Sequence, residues 1–162
     1  MFGAVRVLKS LPPDHGFYAL IGRVAAEGAR LEHNLDLIIW ELTGLDHKQA
    51  SCITTGLGNS YARFQAIQAL AAAKNASPDL LRQIQKLSDS TSQVLKSRHR
   101  FVHDAWYDDG GEHPSQFKSY TAKDGKFGFH EITEADALET IGAIQNKTSE
   151  IGKLRTVLQK LR

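Results

Sequence analysis

Lys96, Arg98, His99, Arg100 and His103 fall within two turns of what reads as one helix, and no acid interrupts them before Asp104. A run of this kind is either a solvated basic face or a patch that binds phosphate. His99 and His103 are one turn apart and share a face. His103 is turned about 140° from Arg98 and lies about 7.5 Å further along the axis. The one-turn spacing would also suit a metal, but two ligands do not make a site. His15, His33, His47, His113 and His130 are scattered and read as exposed or hydrogen-bonded side chains. No Glu-x-x-His, His-Glu-x-x-His or Gly-x-Ser-x-Gly pattern occurs. Gly56-Leu57-Gly58-Asn59-Ser60 lacks the Gly-Lys-Ser/Thr ending of a phosphate loop and reads as a turn.

The segment Ser97-Arg98-His99-Arg100-Phe101-Val102-His103-Asp104 resembles the signature of the HEPN family of helical bundles. In that signature an arginine and a histidine are separated by four to six residues, and a polar residue commonly follows the arginine. Here His99 fills that place and four residues separate Arg98 from His103. The resemblance extends loosely along the chain: a long opening helix with Glu32, a bundle, the motif helix and a closing helix. It implies metal-independent cleavage of single-stranded RNA by a homodimer whose motif helices meet across a cleft, with no cofactor. His103 would then move protons to or from the ribose 2′-hydroxyl and the leaving oxygen. Arg98 would stabilise charge on the phosphate. His99 would position substrate or hold Arg98, and Glu32 would orient the histidine. Arg100 and Lys96 would contact the RNA backbone. An antitoxin or regulatory partner would be a separate chain. The resemblance equally admits a non-catalytic module that binds nucleotide or RNA, or only dimerises.

The elements that must carry these residues are mainly helical. Apolar residues from Phe17 to Leu42 recur at three and four positions, so a helix is expected over about 14–43, with Asp14 as N-cap and Gly44 as stop. Its Gly16, Gly22 and Gly28 cost propensity but would let another helix approach closely. A short helix is expected near 46–54 and another over 60–74, with Tyr61, Phe64, Ile67 and Leu70 at helical spacing. Ser77-Pro78 is a strong start for the motif helix, expected to reach about Trp106. Its apolar stripe runs from Leu80 through Ile84, Thr91 and Leu95 to Phe101 and Ala105, and places Arg98 in the seam. A charge there is costly unless it meets a partner or a wet cleft, and a cleft shared between two subunits would supply one. Phe117 to Thr121 and Lys126 to Ile132 flank Lys123-Asp124-Gly125, a hairpin signal. Thr133 with Asp136 resembles a capping box opening a last helix over 134–161, whose stripe includes Leu138, Ile141, Ile144, Ile151, Leu154 and Leu158.

The reading is therefore one domain over 1–162: an antiparallel bundle of four to five helices. It carries an N-terminal extension (1–13) and a small β-hairpin insertion (114–133) between the motif helix and the last one. A chain of 162 residues, 41% hydrophobic and 23% charged, can bury a real core. The net charge of +2 is too mild to argue nucleic-acid binding by itself. No run of about 18 apolar residues predicts a membrane span, and the first 14 residues lack a signal-peptide pattern. A single cysteine, Cys52, excludes an internal disulfide framework, fits a reducing cytoplasm and is expected to be a small packed residue.

Overall fold

A computed structural model describes residues 9–108, 110–118 and 128–161. Along the chain come β1 (Lys9–Ser10), α1 (Phe17–Thr43), α2 (His47–Thr55), α3 (Ser60–Ala73), α4 (Pro78–His103), β2 (Trp106–Asp108), β3 (Ser115–Lys118), β4 (Gly128–Glu131) and α5 (Glu134–Leu158). The chain is mainly α, a helical bundle carrying a small antiparallel sheet. No helix among the described residues is long and apolar enough to cross a membrane.

Local chemistry sets most helix ends. Asp46 accepts hydrogen bonds from the Lys48 and Gln49 amides to open α2. The Asn59 carboxamide accepts from the Ala62 amide to open α3, and Ser77 does the same for Leu80 with Pro78 at the first position of α4. Thr133 and Asp136 form the reciprocal capping box of α5. Gly44 ends α1 in the left-handed region, φ 67°, which costs a glycine little. The start of α1 departs from expectation: it begins at Phe17 rather than near Asp14, and Gly16 in the N-cap place offers no side chain. His15 Nδ1 accepts from the Phe17 amide instead, at 3.2 Å.

The core is built around α1, which packs against α2, α3, α4 and α5. Its Val24, Leu31, Leu35, Ile38, Ile39 and Leu42 are all buried; each contributes about 1.5–3 kcal/mol by leaving water. Contacts along α1 give the helix directions. Glu27 receives a hydrogen bond from Gln145, and Glu41 from Arg155 and Gln159, so α5 runs the same way as α1. Phe17 lies against Trp106 while Gly28 lies against Arg98, so α4 runs antiparallel to α1. On α5 the stripe is offset by a residue at its start. Ala137 is buried where Leu138 was expected, and Leu138 is half-exposed. Tyr61 on α3 is likewise exposed, and so is Ala105 after α4. Cys52 is exposed too: α2 is a single short layer on α1 that buries only Ala50 and Thr54, leaving its outer face to solvent.

The β region is larger than a hairpin. β3 and β4 pair as expected, Phe117 opposite Phe129, although the Asp124-Gly125 turn lies outside the described residues. Two more strands join them, giving the order β1-β2-β3-β4, antiparallel throughout. β2 uses Trp106, which had been expected to end the motif helix; α4 stops at His103. β1 uses the N-terminal segment, where Leu11 is also buried. Trp106 faces the bundle, its ring 4.9 Å from Phe17 and 5.7 Å from Phe101. On the opposite face Phe129 contacts Tyr107 and Phe117.

Candidate functional site at the end of α4

The C-terminal turns of α4 carry the basic residues, and the sheet holds that end in place. A helix end leaves carbonyls without intrahelical partners. Here the Trp106 indole N–H donates to the Phe101 carbonyl at 3.1 Å, and the buried Gln116 carboxamide donates at 2.9 Å to the Arg100 carbonyl, which also accepts from the Asp104 amide. The Phe117 amide donates to the Ala105 carbonyl just beyond, at 3.2 Å. β2 and β3 thus clamp the helix end that presents His99, Arg100 and His103.

Arg98 faces inward, as its place in the stripe predicts. It is half-buried, and its side chain lies across Gly28 of α1. A Cβ at position 28 would sit 2.8 Å from Arg98 Nε, 3.1 Å from Cγ and 3.3 Å from Cδ. Gly28 is therefore the gap that admits the arginine stem between two helices. The neighbouring glycines do not share the role: nothing lies within 4 Å of a Cβ at Gly16 or Gly22. Arg98 Nε is buried and has no hydrogen-bond partner among the described residues.

His99 and His103 are exposed on the adjacent face, with ring centroids 4.5 Å apart and planes inclined by 42°. His99, expected to position substrate or hold Arg98, makes its ring contact with His103. Lys96 is exposed, its Nζ 3.4 Å from Gln93 Oε1, and Arg100 is half-buried. Lys96, His99 and Arg100 line one groove of ≈ 350 Å³ between α4 and the start of α3, with Leu95, Ser92, Asn59, Ser60 and Tyr61 completing it.

Glu32 is half-buried on α1, one turn beyond Gly28 and one turn before Asp36, whose carboxylate pairs with Arg63 of α3 at 2.8 Å. The stripe Gly28–Glu32–Asp36 thus touches α4 at one end and α3 at the other, and Glu32 lies between those two contacts. Lys96, His99, Arg100 and His103 come together at the surface, while Arg98 is turned to α1 and Glu32 stays on that helix. No group of three His, Cys, Asp or Glu side chains suited to a metal occurs among the described residues.

Three residues at this end carry no sign of a site role in the sequence. Tyr61 was absorbed into the apolar spacing of α3, and its neighbour in the groove is far away in the chain. Gln116 carries no local signal at all. Gly28 was legible only as a small residue fit for close helix approach, without its partner. Comparisons of the chain with family models, with curated proteins and with solved structures found no significant match.

Proposed function

We propose that this chain is a HEPN-like, metal-independent endoribonuclease that cuts single-stranded RNA, acting in the cytoplasm as a symmetric homodimer. The observation that carries the reading is the His99–His103 ring contact on the exposed face of a basic helix end, with Arg98 on the inward side of the same helix end. In the proposed reaction His103 accepts the proton of a ribose 2′-hydroxyl, and that oxygen attacks the adjacent phosphorus. The bond from phosphorus to the 5′-oxygen breaks, and the leaving oxygen takes up a proton, so the products are a 2′,3′-cyclic phosphate and a 5′-hydroxyl. His99 holds the His103 ring and contacts substrate. Lys96 and Arg100 attract the backbone. Arg98 would bring its donor fork to the phosphate by turning its side chain out of the α1–α4 seam, where its Nε is buried without a partner among the described residues.

A second reading, a non-catalytic binding module, is favoured by a different observation. The Arg98 stem is packed into the Gly28 gap, on a row about 140° round the helix from His103. The gap also weakens one argument for the dimer, because Gly28 accommodates the arginine within a single chain.

Incubating the purified chain with a labelled unstructured RNA in EDTA separates the two. The enzyme reading expects cuts leaving cyclic-phosphate ends, lost by about two to four powers of ten in His103→Ala and His103→Gln. Cutting that stops in EDTA, or that is unchanged in the Arg98→Ala and His103→Ala proteins while they remain folded, refutes it. Light scattering that shows a monomer at micromolar concentration removes the dimer.

A further inference from the structure

The groove between α4 and the start of α3 has a composition that the cleavage chemistry does not use. Its outer lip is Tyr61, the second residue of α3. Tyr61 is 52% exposed, on a helix that packs against α1 and α4 and leaves its outer side to solvent. Its hydroxyl accepts from Gln65 Nε2 at 3.0 Å, which steadies the ring without hiding it. The half-buried Leu95 adds apolar surface beside it. Across from Tyr61 stand Lys96, His99 and Arg100, and among the described residues no acid lines the groove.

A flat apolar surface beside cationic groups complements a ligand that is flat and apolar at one end and anionic at the other. Its ≈ 350 Å³ lies near the lower end of the range for small-ligand sites, roughly 300–1,000 Å³, which suits one nucleotide rather than several. The basic row does not stop there. From Lys96 to His103 it extends along the helix by about 10 Å, further than one phosphate requires. His99 belongs both to the groove and to the imidazole pair.

We propose that this groove is a base-stacking subsite for one nucleotide of a single-stranded polynucleotide, its base on Tyr61 and its phosphate on Lys96, next to the His99–His103 pair. The proposal rests on the ribonuclease reading for its substrate class, but binding can be measured apart from cutting. Stacking on an aromatic side chain tolerates any base, so the subsite adds affinity and register without sequence preference.

The test is fluorescence anisotropy with a labelled 2′-O-methyl oligouridylate of about eight nucleotides, which cannot be cut by 2′-hydroxyl attack. Tyr61→Ala is expected to weaken binding about 5- to 100-fold, and Tyr61→Phe to stay within about twofold because it keeps the ring. Lys96→Ala should weaken binding and flatten its salt dependence. Lys86→Ala, on the other side of α4 beside α5, should change nothing. Both tyrosine variants alter an exposed side chain, so folding is not at stake. Wild-type affinity in Tyr61→Ala overturns the proposal. So does displacement of the oligonucleotide by uridine monophosphate at equal concentration, which would make the ligand a free nucleotide. Displacement by inorganic phosphate or by polyglutamate at the same phosphate or carboxylate concentration would reduce the groove to a general anion patch. Loss of binding in Tyr61→Ala, together with no cutting of ordinary RNA by wild type, would keep the groove and remove the ribonuclease. Cutting with binding unaffected by Tyr61→Ala would do the reverse.

Discussion

Replacing Gly28 by alanine tests the contact that seats Arg98. Taken alone, an interior helical glycine changed to alanine stabilises a helix by about 1 kcal/mol. The structure predicts the opposite sign here. The new Cβ would meet Arg98 Cγ at 3.1 Å and Cδ at 3.3 Å as well as Nε at 2.8 Å, so the stem must move and not only its flexible tip. Overpacking of this kind costs about 1–3 kcal/mol. The net expectation is a loss of about 0–2 kcal/mol, which for a chain of this size lowers the melting temperature by anything up to about 8 °C. The decisive measurement is a double-mutant cycle by urea denaturation. In an Arg98→Ala background the obstacle is gone, and Gly28→Ala should recover its ordinary gain of about 1 kcal/mol. The two sites should therefore couple by about 1–3 kcal/mol. A gain of about 1 kcal/mol from Gly28→Ala in both backgrounds would show that Arg98 does not lie across α1, and the account of the arginine seam would fail.

Other outcomes follow from particular contacts. Hydrogen bonding to Glu41 holds the Arg155 guanidinium above its ordinary value, burial opposing it and the Glu41 charge adding to it. A raised basic group stabilises the fold at every pH below its unfolded value and loses that contribution only as pH rises through the folded one. Arg155→Ala should then cost about 0.5–1.5 kcal/mol, and the arginine's own ionisation should add no pH dependence between neutral and mildly alkaline denaturation curves. Thr133→Ala removes the side-chain half of the α5 capping box and should cost about 0.5–2 kcal/mol in the same assay. Cys52, exposed on α2, should react with Ellman's reagent in the native protein as fast as in urea; a thiol that reacts only after unfolding would contradict its placement.

What could be read along the chain was whatever local physics decides. Ser77-Pro78, Thr133 with Asp136 and Gly44 mark helix ends through bonds made within four residues, and all three do so here. The apolar spacing of α1 identified its buried face for the same reason, and the motif placed Lys96, His99, Arg100 and His103 on one helix end. The inward row of Arg98 was also legible, because a helix's period fixes which residues share its faces. The remainder depended on partners distant in sequence. β1 and β2 are two and three residues long, too short for alternation to announce them, and exist only because their ladder partners are brought alongside. Trp106 could as well have continued the helix; its hydrogen bond back to Phe101 and its packing on Phe17 are tertiary facts. Whether Cys52, Leu138 or Tyr61 is covered depends on which neighbours lie over each helix, and periodicity says nothing about a neighbour that is absent. The stripe shows that Arg98 must meet a partner or a wet cleft; that its stem lies in the gap left by Gly28 follows from how α4 packs on α1, because a missing Cβ acts solely on the side chain that happens to face it.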